Sequence, residues 1–401
     1  MEFIDLKSII NYLSGVKNSE IMDLTDFKAG QYIQQYQYKS FSPSKVNLEW
    51  TWRDPKINTL LSEANKKLGE LNAFSLYVPD INFFIAMHVI KEATTSSKIE
   101  GTRTGVDEAL LSLDEIAPEK RDDWQEVQNY IKALNFSIEK LKDLPLSTRL
   151  LKDAHKILLE GVRGESKTPG EYRTSQNWIG GASLKDAVFI PPHHTEVSEL
   201  MGDLENFMHN DKIDVPHLIR IAISHYQFET IHPFLDGNGR LGRLMITLYL
   251  VSTRLLDKPT LYLSDFFERK RALYYDNLTF VRTSNNLSQW IKFFLVAVIE
   301  TSDKGINTFR EILKLKENIE GVKLISLGKR VNNAKKLINF LYKKPLINVK
   351  DVKSLLNVTT KPANAIIHEF VKLEILKEVT GYKRNRFFLF EEYYKLFANN
   401  E

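Results

Sequence analysis

Twelve consecutive residues, His232-Pro233-Phe234-Leu235-Asp236-Gly237-Asn238-Gly239-Arg240-Leu241-Gly242-Arg243, put a histidine, an acid, two arginines and three glycines in one short stretch. Forked guanidinium donors suit phosphate oxygens. Glycines accept positive φ and let an anion approach the backbone closely. If a helix starts at the second glycine, its unpaired N–H groups and positive dipole end favour an anion there. Asp236 beside phosphates would repel them unless a cation lies between, and Mg²⁺ held by one carboxylate and by substrate phosphates is the usual solution. His232, with a pKa near neutrality, is the natural proton acceptor. Together these residues read as a loop that holds a nucleotide's phosphates beside a general base. A plain helix–loop–helix turn accounts for Asn-Gly alone. It leaves the acid, the histidine and the spaced arginines unexplained.

The flanking elements must aim these groups. The segment 216–230 reads as a helix, and Pro233 pushes the residue before it out of helical geometry, so that helix stops at His232. The next helix starts near Gly239 or Arg240, which puts Arg240 and Arg243 on one face, pointing back toward the loop. Upstream, NFFIAMHVIKEATTSSKIE (82–100) is helical, with Gly101 as its C-cap. Ser96 and Glu100 share a face of it. An acid at a helix C-terminus opposes the dipole, so Glu100 gains by meeting a cation. Its local alternatives are Lys98, Arg103 or solvent. Around QNWI and AVFI, two β-like pieces separated by glycine read as a hairpin ended by Pro191-Pro192. Further helices are expected over 122–141, 147–161, 195–209, 265–282 and 287–302, with a charged helical segment at 303–320. Beyond it NNAKKLINFLYK, VKDVKSLL and KPANAIIHEFVKLE read as three helices and LKEVTGYKRNRFFLF as a hairpin, the order of a winged helix-turn-helix.

With 401 residues, 43% hydrophobic and 26% charged, the chain suits two or three globular domains. No apolar run is long enough to span a bilayer. MEFIDLKSII, with acids among its apolar residues, does not read as a signal peptide. The absence of cysteine excludes thiol chemistry and cysteine-ligated zinc and fits a cytoplasmic location. The net charge of +4 is uneven: residues 321–401 hold 16 Lys and Arg against 7 Asp and Glu, a net of +9, so the other 320 residues carry −5. Any nucleic-acid reading therefore rests on the tail, where Lys361, Lys372, Lys383, Arg384 and Arg386 could meet phosphates. Basic faces are also commonly just solvated, and many winged helices bind proteins. His193 and His194 read as exposed loop residues, and His217 and His225 as capping or core residues rather than metal ligands.

The twelve-residue string resembles the complete signature of the Fic (filamentation induced by cAMP) family, H-x-F-x-[D/E]-G-N-G-R-x-x-R, with no position departing from it. GEYRTSQNWIGG, IPPHHTEVSELMGDLENF and AISHYQFETIHPF resemble the family's core. LLSEANKKLGEL and EATTSSKIEGT resemble the N-terminal region of one bacterial branch, so the likeness covers most of residues 45–300. It implies a mainly α fold: a Fic-type helical core with a β-hairpin flap, an N-terminal helical region and a C-terminal winged helix-turn-helix. The implied division is 1–110 with the inhibitory helix at about 82–100, a core at 111–304, a helical linker at 305–320 and the winged helix at 321–401. The implied activity is Mg²⁺-dependent transfer of AMP from ATP to a Ser, Thr or Tyr hydroxyl of a protein, with release of pyrophosphate. His232 is then the base and Asp236 the Mg²⁺ ligand. Gly237, Asn238, Gly239, Arg240, Leu241, Gly242 and Arg243 line the nucleotide, with Arg240 on the β-phosphate and Arg243 on the γ-phosphate. Tyr274 matches a tyrosine that lies by the adenine in relatives, while Arg282 stands where some relatives have asparagine, so no contact is carried over there. Asn177, Trp178, Ile179 and Gly180 belong to the flap that docks the target by strand addition. SSKIEG matches the inhibitory pattern [S/T]-x-x-x-E-[G/N], which implies that Ser96 and Glu100 restrain Arg243 in cis. Removal of AMP supported by Glu100, a homodimer, self-modification, and a DNA-binding regulator with the core as sensor all stay open.

Overall fold

The computed structural model of the chain describes residues 21–77, 81–381 and 385–398. The N-terminal decapeptide, Lys383 and Arg384 lie outside the described residues. In chain order the elements are β1 (Ile21–Asp23), β2 (Gly30–Gln34), β3 (Lys39–Pro43), β4 (Glu49–Thr51), α1 (Pro55–Tyr77), α2 (Ile81–Ile99), α3 (Val106–Ala109), α4 (Arg121–Lys140) and α5 (Thr148–Leu158). There follow α6 (Val197–His209), α7 (His217–Ile231), α8 (Asn238–Ser252), α9 (Ser264–Arg269), α10 (Arg271–Ser284) and α11 (Leu287–Asn318). The tail holds α12 (Val331–Lys343), β5 (Leu346–Asn348), α13 (Val349–Leu356), α14 (Thr360–Lys372), β6 (Lys377–Glu378), β7 (Phe387–Leu389) and α15 (Glu391–Ala398). The fold is mainly α, as expected. Among the described residues no helix is long and apolar enough to cross a membrane.

The chain forms two compact units, each assembled from separate stretches. Among the described residues the first comprises 21–62, 172–238 and 272–295. Its centre is α7, whose residues from Leu218 to Ile231 are all buried. A helix buried on every side sits inside a core rather than on it. Trp290 of α11 donates its indole N–H to the Ala222 carbonyl at 2.7 Å, tying α11 to α7. β2 and β3 pair antiparallel, and β1 pairs with β4 in parallel. The Phe41 N–H of β3 reaches the Ile190 carbonyl at 2.9 Å, so the sheet supports the second arm of the expected hairpin.

Among the described residues the second unit comprises 63–77, 81–171, 239–271, 296–381 and 385–398. It is organised around α2, which packs against α4, α9, α12 and α15. Phe84 of α2 meets the Tyr342 ring of α12 at 5.1 Å and the Tyr393 ring of α15 at 6.4 Å. His88, one turn on, meets Phe397 at 4.9 Å and Phe309 at 5.1 Å. In the tail the expected three helices and hairpin are present, and β5 adds a third strand in the order β5-β7-β6.

Two boundaries differ from the sequence expectation. Residues 287–302 and the charged segment after them form one continuous helix, α11. Nothing between them breaks helical hydrogen bonding, and Gly305 is tolerated in a helix interior at a cost of about 1 kcal/mol. A Cβ at Gly305 would lie 3.0 Å from Leu71 of α1, so close helix packing accounts for the glycine. The stretch expected as one helix over 265–282 divides into α9 and α10 at Lys270. The closing helix α15 was not anticipated.

Candidate functional site

The first unit carries the histidine end of the motif. α7 stops at Ile231, and His232 adopts a left-handed conformation with φ 49° and ψ 61°. That conformation is rare for a residue with a side chain and persists only where its surroundings hold it. Arg173 supplies much of that hold. Its Nε donates to the His232 carbonyl at 3.0 Å, and Nη2 donates to Ile231 and Pro192. The Ile231 and His232 carbonyls are among those that a helix C-terminus leaves unpaired, whereas Pro192 belongs to the loop after the hairpin. Arg173 is 2% exposed, and burial pulls its guanidinium down to about 10. Asn177 adds a second clamp, donating from Nδ2 to the carbonyls of His232 at 3.1 Å and Phe234 at 2.8 Å.

Beyond the histidine, the loop closes on itself. The Asn238 side chain accepts from the Phe234 N–H and donates to the Phe234 carbonyl, both at 2.9 Å. Its amide is therefore spent on loop shape, and contact with a ligand falls to its backbone. Gly237 has φ 76°, a conformation that favours glycine. The half-buried Asp236 accepts from the Gly237 N–H at 2.6 Å. The hairpin after Asn177 is real but minimal: Ile179 and Phe189 form a single antiparallel bridge. Gly180 and Gly181 turn with positive φ, and Asp186 accepts from the N–H groups of Ala182 and Ser183 to close the tip. Trp178 is half exposed and Val188 lies open, while the Arg282 guanidinium stacks 4.0 Å over the Phe189 ring. An arginine on an aromatic face is a favourable support for the outer arm.

The second unit carries the arginine end. α2 finishes in a Schellman arrangement, with the Gly101 N–H on the Lys98 carbonyl and the Thr102 N–H on the Ser97 carbonyl. Gly101, with φ 100°, is the cap the sequence indicates. This leaves Glu100 at the very end of the helix, where Arg243 meets it at 2.7 Å. Arg243 also donates from Nε to the Ser96 hydroxyl and from Nη2 to the Ser96 carbonyl, both at 2.9 Å. All three bonds fall on one turn of α2. A Cβ built on Gly239 would lie 2.2 Å from Glu100 Oε1, so a carboxylate oxygen lies against the first turn of α8. An anion thus already sits where free N–H groups and the helix dipole favour one. Arg240 takes a different acid, Glu126 of α4, at 3.2 Å.

Residues 58–139 match the Fic/DOC family N-terminal model, and residues 145–250 match the Fic/DOC family model. The two matches place a Fic domain, preceded by a Fic N-terminal region, within the chain. A probable protein adenylyltransferase of Aquifex aeolicus (strain VF5) is 31% identical over 172 residues, which is 42% of this chain and 50% of that protein. Protein adenylyltransferase Fic of Drosophila erecta is 35% identical over 83 residues, 20% of this chain and 15% of that protein. The chain thus spans half or less of the length of these curated relatives. In fold it is similar to the crystal structure of a Fic family protein from Desulfovibrio desulfuricans G20, with a TM-score of 0.52 at 20% identity, covering 84% of this chain and 96% of that one.

Tyr274, expected beside the adenine, and its neighbour Tyr275 are divided between core and surface. Tyr274 is 1% exposed, its hydroxyl lies 2.9 Å from His225 Nε2, and its ring packs against Trp290. Tyr275 is the member that faces solvent. His225 is a core residue, as the sequence indicates. The sequence did not mark Arg173 and Glu126, which bond to the motif, or Glu92, a buried acid beneath it in the same unit as Arg243. Glu92 of α2 is buried, accepts from Tyr130 at 3.0 Å and from Ser264, and burial raises its carboxyl above the usual range. The available signal was an acid on the apolar face of an amphipathic helix for Glu126 and an acid within a largely apolar helix for Glu92, since a buried acid needs partners.

Proposed function

We propose that this Fic-domain protein transfers AMP from ATP to a hydroxyl side chain of a protein and that Glu100 holds the reaction off. The observation that carries this reading is the Glu100 carboxylate lying against Gly239 and bonded to Arg243. It occupies, with an anion, the place a nucleotide phosphate needs, and it engages the arginine that would hold the terminal phosphate. His232 accepts the proton of the target hydroxyl, whose oxygen forms a bond to the α-phosphorus as the bond to pyrophosphate breaks. The amides at the start of α8 face the α-phosphate, where charge develops. Arg240 and Arg243 hold the β- and γ-phosphates. The edge of the hairpin at 177–190 offers a strand for the target's backbone.

Among the described residues no group of three or more His, Asp or Glu side chains is placed to hold a metal. Asp236 is a single half-buried carboxylate in the motif loop. Such a donor set fits Mg²⁺ only if substrate phosphates complete the shell, which is the behaviour expected of that ion. Bound there, Mg²⁺ would neutralise phosphate charge beside Asp236.

Transfer of label from α-labelled ATP to protein tests the reading, with wild type, Glu100→Gly, and Glu100→Gly combined with His232→Ala, each with and without Mg²⁺. The expected result is weak labelling of wild type, strong labelling of Glu100→Gly, and none once His232 is replaced. Equal labelling of wild type and Glu100→Gly would remove the inhibitory role. ATP binding without labelling of any lysate protein would favour AMP removal or another donor. The basic tail supports a second role in DNA binding: its three helices and three-stranded sheet follow the winged helix order, and Lys361 and Lys372 are exposed on α14.

A further inference from the structure

Glu126 accepts more bonds than a structural acid needs. Its Oε2 accepts from Arg240 Nη1 at 3.2 Å and from the Thr102 hydroxyl at 2.8 Å, and its Oε1 accepts from Arg163 Nε at 2.7 Å. The side chains of Glu126 and Arg240 are 2% and 5% exposed. A buried ion pair is a poor way to gain stability, because desolvation offsets most of the attraction. Arg163 also meets Asp123 at 3.7 Å, so Glu126 is shared between Arg240 and an arginine that has a second acid of its own. Thr102 is fixed by its N–H on the Ser97 carbonyl, in the same cap that presents Glu100. One short segment at the end of α2 therefore reaches both motif arginines, Arg243 directly through Glu100 and Arg240 through Thr102 and Glu126.

We propose that Glu126 is a positioning residue that aims Arg240 at the nucleotide's phosphates and, through Thr102, links that aim to the cap of α2. The proposal rests on the AMP-transfer reading above. Glu100 and Glu126 then have opposite roles. Glu100 competes with phosphate for Arg243, whereas Glu126 holds Arg240 in a productive orientation that remains needed after Glu100 is displaced.

The experiment uses the full chain carrying Glu100→Gly, where labelling from ATP is expected to be strong. If that protein does not label, the functional reading fails before Glu126 is tested. In the labelling background, Glu126→Ala is expected to raise KM for ATP about tenfold or more, the loss expected from one charge-assisted hydrogen bond, with a smaller change in kcat. Glu126→Gln is expected to retain part of the effect, and Thr102→Val to move KM in the same direction by less. Because Glu126 acts through Arg240, adding Glu126→Ala to Arg240→Ala is expected to cost nothing further. Unchanged KM in Glu126→Ala, additivity with Arg240→Ala, or increased labelling when Glu126→Ala is made with Glu100 intact would each overturn the proposal. The last outcome would make Glu126 a second brake. Should Glu126→Ala fail to fold, the Thr102→Val and Glu126→Gln comparison decides alone.

Discussion

Asn238 shows how much of the Fic motif is spent on shape. Both ends of its amide close on the backbone of Phe234, inside a buried loop. Asn238→Ala leaves a buried N–H without its acceptor, and Asn177 alone then serves the Phe234 carbonyl. Removing one partner of a buried hydrogen bond costs about 1–3 kcal/mol. The variant is expected to lose about 2 kcal/mol of stability, read as a lower denaturation midpoint at unchanged slope. A loss below about 0.5 kcal/mol would show that the loop does not depend on this clamp. The residues proposed to do chemistry were legible in the sequence because their types and spacing are improbable for a turn. The residues that hold them were not. Arg173 and Glu126 lie far along the chain from the loop, and one arginine or one acid in a helix-rich sequence carries no mark of the carbonyl or guanidinium it will meet. Asn238 was legible as part of the motif, yet only coordinates separate an amide that serves the loop from one that serves a ligand.

At the scale of elements, α2 joins the candidate inhibitory contact to the tail. One end presents Ser96 and Glu100, and the other carries Phe84 and His88 among rings of α11, α12 and α15. His88 is buried, and burial lowers its imidazole from 6.5 to about 3. Lys91 and Lys304 add to that shift with like charge. In the unfolded chain His88 takes up a proton near pH 6.5, whereas in the folded protein it stays neutral until about pH 3. Between those values the unfolded state binds more protons, so stability rises with pH and falls on acidification. The slope approaches 1.4 kcal/mol per pH unit for one such group. Melts at pH 7.5 and pH 5.0 are therefore expected to show wild type losing about 2 kcal/mol more than His88→Leu. Equal losses would mean that His88 is charged inside the fold. The helical span of α2 and its glycine cap were readable from periodicity and Gly101. Its partners were not: an aromatic at Phe84 predicts burial, but a face apolar on several sides does not say which of four helices covers each side. The same limit explains α11, where a change in composition was read as a boundary although no residue interrupts the backbone bonding.

At the scale of the whole molecule, charge is the property the sequence states most directly, since it needs only counting. The tail's net of +9 against −5 elsewhere sets the DNA-binding reading apart from the chemistry of the motif. Lys361, Lys372 and Arg386 are exposed, and the Arg386 guanidinium lies 5.3 Å over the Phe388 ring of β7. Each phosphate neutralised by a side chain on duplex DNA contributes about 0.9 to the slope of log affinity against log salt. If α14 and the β6–β7 hairpin contact phosphates, random duplex DNA is expected to bind the full chain at low salt. Lys361→Ala with Lys372→Ala is then expected to flatten the slope by about 2 while leaving AMP labelling unchanged. Binding with an unaltered slope would place the contact on other residues. Absence of binding at low salt would turn the basic tail into a protein-docking surface or a solvated one. The packing of α12 and α15 on α2 would still join the tail to the helix that carries Glu100 at its end.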